Sequence, residues 1–357
     1  MKRISEIIKT LSVLLGSVIG AGFVSGAELT IFFGTIDFVP FLFVSGCLFF
    51  FGLSVVYLCE NNCNSNKTDN KFFECILLIS CTVFSAAMIA GITDLFAFCG
   101  VARFIPSLVC VVFFYLFYEK GIGFVEKING IIMPITIILS LIFIYYSNKC
   151  CNQIVTVPQP KKNFIFPVLF SFLNIFITIP VAKESIKNKS KFSVIFSFAL
   201  FSFIFVYFAF IILITVKNSG TVDFALPLLQ AFIGNRIIYG AFGVCILLCS
   251  FTSFYACCFP PAIKTRNRYG KKTVLILLLL VYLLSFAGLG KIIKWVYPLF
   301  GAAGAAYVCK ALFILIKNKV MYKKSVKADN IINKKRRNFY VKKKEKQNKK
   351  TYRRGVW

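Results

Sequence analysis

Residues 16–28 read GSVIGAGFVSGAE and lie inside the first long apolar stretch of the chain, 11–33. This run constrains the fold more than any other feature. A spanning segment in hydrocarbon must satisfy each backbone N–H and C=O internally, so membrane spans are normally unbroken helices. Four glycines, two serines and a carboxylate do not suit that pattern. Glycine-rich breaks are tolerated where the freed backbone lines a protected cavity, and in transporters such cavities hold solutes and ions. Glu28 adds to the constraint, because an ionisable group at membrane depth costs at least about 2.5 kcal/mol and marks a functional site by default.

The remaining sequence sets the class. Of 357 residues, 58% are hydrophobic, 43 are Phe and only 15% are charged, against about 25% in soluble domains. The charge is uneven: from Lys317 onward there are 17 Lys and Arg against 2 acids, more than half of the net +29. The expected organisation is a polytopic membrane domain over 1–316 and a basic tail over 317–357. Histidine is absent, which excludes imidazole metal sites and His-based catalysis. The 14 cysteines fall mostly in apolar segments without zinc-like spacing, and buried cysteine usually serves as a small apolar residue. The expectation is no catalytic residue, no metal site and no enzyme, with no cofactor beyond a coupling ion, Na+ or H+.

At 1.5 Å per residue a span needs about 20 residues. Ten segments qualify: 11–33, 38–58, 72–98, 104–118, 128–146, 164–181, 192–216, 237–259, 274–289 and 295–316, the fourth and ninth being short. The basic N-terminus followed by an apolar run and small residues resembles a signal peptide. The run resumes at Leu29, so the segment is read as a retained first helix. With the N-terminus inside, the inner connections hold 16 Lys and Arg before the tail and the outer ones 8. The positive-inside rule then places both termini in the cytoplasm of a plasma membrane; the composition suggests an AT-rich, bacterial genome. Segment 221–234, apolar but interrupted by Pro227, reads as an outer interfacial or re-entrant helix. Segment 121–129 reads as an amphipathic inner loop, and 147–163, with Pro158 and Pro160, as an irregular outer one.

The midpoint of the ten spans invites a five-plus-five inverted repeat, with helix six as the partner of helix one. Helix six lacks glycine, yet Ser171, Asn174, Thr178 and Pro180 are suited to supporting a break. The expected fold is therefore an all-α integral membrane protein of about ten spans, with helices one and six broken.

The bland reading of Gly16, Gly20, Gly22 and Gly26 is close helix packing through Gly-x-x-x-Gly spacing. The functional reading is an unwound site, favoured because Ser25 and Glu28 follow at once. The second half-helix would then aim its N-terminal N–H groups at a solute carboxylate, and free carbonyls would face a cation. Glu28 would bind a solute ammonium or carry a coupling proton. Asp94 reads as interfacial. The tail clusters Lys334–Arg337 and Lys342–Lys344 fit anionic lipid head groups at about 1 kcal/mol per charge and carry no folded nucleic-acid motif.

Gly16, the run Ile19-Gly20-Ala21-Gly22-Phe23, Ser25-Gly26 and Glu28 resemble the first-helix signature of the YkvI-like membrane proteins. These are relatives of the amino acid–polyamine–organocation (APC) transporters with the LeuT-type fold. Asn174 in helix six, ALPLLQAF over 225–232 and Tyr297-Pro298-Leu299-Phe300-Gly301 at the start of helix ten are compatible. Ala27 stands where such proteins typically have Gln, and helix eight lacks an expected acid near Cys249–Ser253. The resemblance implies a LeuT-type 5+5 secondary transporter of a small amino-acid-like solute, working as a sodium or proton symporter. It implies a solute site at Gly20, Ala21, Gly22, Phe23, Ser25, Gly26, Glu28 and Asn174, and an ion site at Gly20, Thr252 and Ser253. The alternatives are a non-transporting sensor that kept the site, and a structural protein whose glycines only pack.

Overall fold

A computed structural model describes residues 2–34, 38–62, 71–97, 100–150, 164–186, 189–219, 226–230, 232 and 235–318. The tail beyond 318, the outer loop 151–163 and much of 221–234 lie outside the described residues. The elements are α1 (Lys2–Val18), α2 (Ala21–Val24), α3 (Ala27–Phe33), α4 (Phe38–Asn62), α5 (Lys71–Ala97), α6 (Phe104–Phe117) and α7 (Ile122–Cys150). They continue as α8 (Ile165–Ile186), α9 (Lys191–Ser219), α10 (Pro227–Gln230), α11 (Arg236–Tyr269), α12 (Lys271–Ser285) and α13 (Leu289–Trp295), and close with α14 (Tyr297–Asn318). Among the described residues seven helices are long and apolar enough to cross a membrane, or eight if the bent pair α12 and α13 is one span. The chain is a multi-pass membrane protein.

Large apolar side chains such as Phe43, Val109, Leu116, Phe203, Leu299 and Phe313 point outward. On a soluble monomer such a surface would be anomalous; here it is the face that meets acyl chains. The centre is formed by α5 and α11, packed along their length, with α1 and α8 beside them and α4 and α9 outside. Lipid gives no hydrophobic drive for helices to associate, so close packing supplies the contact. Gly301 and Gly304 of α14 rest directly on the Leu169 and Phe172 carbonyls of α8. Buried hydroxyls mostly donate back within their own helix: Ser85 to Cys81 (2.7 Å), Ser171 to Pro167 (3.0 Å) and Ser250 to Ile246 (2.5 Å). That leaves them neutral to the fold.

Ion pairs tie the spans together at the basic end. Lys183 meets Glu60 (2.7 Å), Lys189 meets Glu126 (2.8 Å), and Lys264 pairs with Glu74. Glu119, in the 3-10 turn Tyr118–Lys120 after α6, bonds Lys271 at 2.8 Å. The Lys271 hydrogen bond and the charges of Lys271 and Arg266 hold its carboxyl below the usual carboxylate range.

Three expectations are corrected. Helix six, expected to be broken, is the continuous α8. It contains no glycine, and Pro180 removes only the bond to the Phe176 carbonyl. Segment 121–129 is not a loop: Gly121 takes a positive φ of 78° and the fifth span starts at Ile122. The ninth span stops at Ser285, turns at Gly288 (φ 84°) and bends by 94° into α13, so Trp295 ends that short helix and the tenth span starts at Tyr297. The fourth segment is short, as expected: 14 residues, about 21 Å, against a core of about 30 Å.

Gly304→Val drives a branched side chain into the α8 backbone. The expected cost is about 1–3 kcal/mol or more, read as a lower midpoint in detergent thermal unfolding. Gly123→Ala, where nothing lies within 4 Å of the added methyl, should leave the midpoint in place; equal midpoints for the two variants would refute the close contact.

Candidate functional site

The first span breaks where the glycines predicted it. α1 ends at Val18, and Ile19 N–H still reaches Leu15 (2.8 Å), but Gly20 N–H turns back to Val18 (3.0 Å). Gly20 is extended (φ −110°, ψ −165°) and one turn of helix, α2, follows. Gly26, at φ 83°, breaks the chain again before α3. Only glycine adopts this conformation at low cost, and Val216 and Ile212 also crowd its Cα. The expected second half-helix is thus two short pieces of four and seven residues. This corrects the idea of a strong dipole aimed at a carboxylate: the macrodipole needs a run of aligned peptides, and one turn supplies few.

Residues 17–29 are all buried. Glu28 is 0% exposed, and its side chain folds back over the Cα of Gly22. Neither carboxylate oxygen has a hydrogen-bond partner. The Tyr297 hydroxyl at the start of α14 lies beside it without closing a bond of good geometry, and is itself buried and unpartnered. The Tyr297 ring stacks on Phe84 of α5 (5.7 Å between centroids).

Asn174 reaches the same level. On its face of α8, Phe170 meets Phe32 (5.1 Å) and Phe33 (5.4 Å) beyond the break. One turn the other way, Thr178 Oγ1 lies 3.3 Å from Ser17 Oγ before it. Asn174, between them on one helix face, donates Nδ2 to Phe170 O (2.9 Å) and has no partner for Oδ1. Of the two hydroxyls predicted for the ion site on α11, Ser253 reaches the break, donating to the Ile19 carbonyl (3.0 Å). Thr252 donates to Cys249 of its own helix (2.9 Å).

Other predicted residues take packing roles. Phe23 packs against Phe205 (5.0 Å) and Phe208 of α9, and Ala21 lies on Gly91 of α5. Gly20 sits under Met88 and Ser253, and Gly16 under the Asn129 side chain. The glycines at the break thus also serve close packing. Ser25 Oγ donates to Gly22 O (3.4 Å), while Ser25 O accepts from Leu228 N (2.8 Å). The buried segment 226–229 thereby covers the break from the other end. Asp94 pins the bend before α13: it pairs with Arg103 (3.4 Å) and accepts from Leu289 N (3.5 Å). Sequence reasoning gave no role to Tyr297 as a partner of Glu28 or to Met88. They lie 269 and 60 positions from Glu28, and no local pattern marks such contacts.

No protein-family model matches the chain, and no curated protein matches it. Its structure is similar to that of a manganese transporter from Eremococcus coleocola, solved with an aromatic bis-isothiourea substituted compound. The TM-score is 0.56 and the identity 11%, over 88% of this chain and 76% of that one. At this identity the likeness is one of fold.

The Gly22–Glu28 contact has a direct test. Gly22→Ala puts a methyl where the carboxyl group lies, and should lower the unfolding midpoint. Removing that group in Gly22→Ala/Glu28→Ala should recover part of the loss, with a coupling of about 0.5–3 kcal/mol for residues in contact. Strict additivity of the two single changes would sink the contact.

Proposed function

We propose that this protein is a secondary active transporter that moves a small amine-bearing, amino-acid-like solute by alternating access, coupled to sodium or protons. The observation that carries the reading is Glu28: a fully buried carboxylate, without a hydrogen-bond partner, inside a doubly interrupted span. Burying an unmatched carboxylate is costly, and the cost is relieved by a cation or by a proton. Two further unpartnered atoms are Asn174 Oδ1, an acceptor, and Tyr297 Oη, which can donate or accept. An ammonium group carries three donors and no acceptor and suits that set better than a carboxylate does. The solute's positive end would lie toward Glu28.

The manganese cargo of the structural neighbour fits these residues less well. Among the described residues no group of three or more Cys, Asp or Glu side chains is placed to hold a metal ion. An organic or monovalent cation asks for less. The ten-span LeuT-type 5+5 arrangement and the YkvI-like relationship belong to this proposal and are supported by the break at Gly20–Gly26. The sodium alternative uses the Ile19 carbonyl, Gly20, Ser253 and Thr252. Both termini would lie in the cytoplasm, with the basic tail against anionic lipid.

A thermal-shift screen of purified protein tests the reading. It covers amino acids and amines with sodium or potassium at two pH values. A ligand at 100 times its Kd stabilises by about 2.7 kcal/mol. We expect a sodium- or pH-dependent shift that vanishes in Glu28→Gln while the variant stays folded. Flux in proteoliposomes should follow; binding without flux would make the protein a sensor. A shift that survives Glu28→Gln would remove the site from the break.

A further inference from the structure

We infer that the route from the break to the basic face leaves between α5, α8 and α11, passing the thiols of Cys81 and Cys257. The inference rests on the transporter reading and names the inner mouth of the same site. A pocket of about 260 Å³ opens at the basic end between these three helices. Leu77, Pro180 and Pro260 line its inner part, and Glu74, Lys183 and Lys264 its rim.

One turn deeper on each helix lies a single layer of small polar groups. Cys81 Sγ donates to Ile177 O (3.8 Å), and Cys257 Sγ to Ser17 O (3.5 Å). Ser17 Oγ meets Thr178 Oγ1 (3.3 Å). Cys81 and Cys257 are near neighbours, and Cys257 is also near Tyr297, the residue beside Glu28. Ser17 is three residues from Gly20. This layer lies between the pocket and the break, and its hydroxyl and thiol side chains are small. Pro180 and Pro260 each remove an intrahelical bond at this depth, freeing the Phe176 and Ala256 carbonyls and softening both helices where the route must widen.

The opposite flank of the basic face is closed more firmly. There Lys189 pairs with Glu126, at 10% and 14% side-chain exposure, and also bonds Ser185 (3.0 Å) and Thr10 (3.3 Å). Glu6 accepts from Ser190 N (3.2 Å). At the pocket rim two pairs are more open to solvent, Lys264–Glu74 at 34% and 49% and Lys183–Glu60 at 40% and 25% exposure, and exposed pairs contribute little net stability. The α5–α8–α11 flank is therefore the one that opens at lower cost.

The native thiols report the route. Vesicles of each orientation carrying the full-length protein are treated with a charged, membrane-impermeant maleimide, and adducts are mapped by mass spectrometry. Exposed Cys75, at the start of α5, identifies the basic face. From that face Cys81 and Cys257 should react faster than Cys245 and Cys249, farther along α11, by about tenfold or more if they are reached by local opening. Glu74→Ala should raise their rate further. Ile263→Trp, which fills the pocket, should suppress it while the Cys75 rate holds. Reaction only from the opposite face overturns the route, as does no reaction at Cys81 and Cys257 even in Glu74→Ala. If a Glu28-dependent thermal shift persists in that case, the route alone has failed; if the shift is also missing, the transporter reading has failed with it.

Discussion

A carboxylate folded against a glycine, inside a backbone that has stopped being helical, is the constraint on which the centre of this protein depends. Glu28 occupies the space where any Cβ at position 22 would sit. Gly20 and Gly26 release the chain on either side, so the carboxylate lies within the bundle instead of on a helix flank. Each released backbone group must find a partner in a medium that has no water to offer. Those partners come from distant parts of the chain: Ser253 for the Ile19 carbonyl, Cys257 for Ser17, Leu228 for the Ser25 carbonyl. Helix eight and the segment around Leu228 are thus held to the first span by the same bonds that make its break tolerable.

The buried polar groups then fall into two sets. Most hydroxyls are bonded to the preceding turn and do nothing that alanine could not. Among the described residues some are not: the Ser54, Ser140 and Tyr255 hydroxyls and Asn129 Nδ2 on other helices and, near the break, both Glu28 oxygens, the Tyr297 hydroxyl and Asn174 Oδ1. These last four concern the site. They come from three separate spans, yet α8 and α14 bring them to the level of the break. A core built only for packing would have no use for these four unbonded atoms at one depth, since each costs desolvation without return.

How much of this was legible in the sequence depends on how local the cause was. The break at Gly20–Gly26 was legible because glycine and serine within an apolar run have few other uses, and Glu28 because a charge at that depth has fewer still. The division of the second half at Gly26 was less so, since it rests on a positive φ where Val216 and Ile212 crowd the chain. Helix six was misread because Ser171, Asn174 and Pro180 are as compatible with a continuous helix that back-bonds its polar groups as with a broken one. The start of the fifth span depends on the turn at Gly121, and the bend before α13 on Gly288 with Asp94 capping Leu289, a contact across 195 positions. Tyr297 beside Glu28 is purely tertiary.

Likeness of fold does not carry cargo with it, because function resides in the site and not in the scaffold. The site here has one carboxylate, one phenol and one amide, with the Met88 thioether over Gly20. Divalent cations are held by several hard oxygen or nitrogen ligands with fixed geometry. A single carboxylate among neutral acceptors neutralises one positive charge and bonds what surrounds it. In the proposed reading that balance suits a monovalent cation or a protonated amine better than a divalent ion. Under the proposed transport function, the charge count at the break, and not the shape of the bundle around it, would set the class of solute.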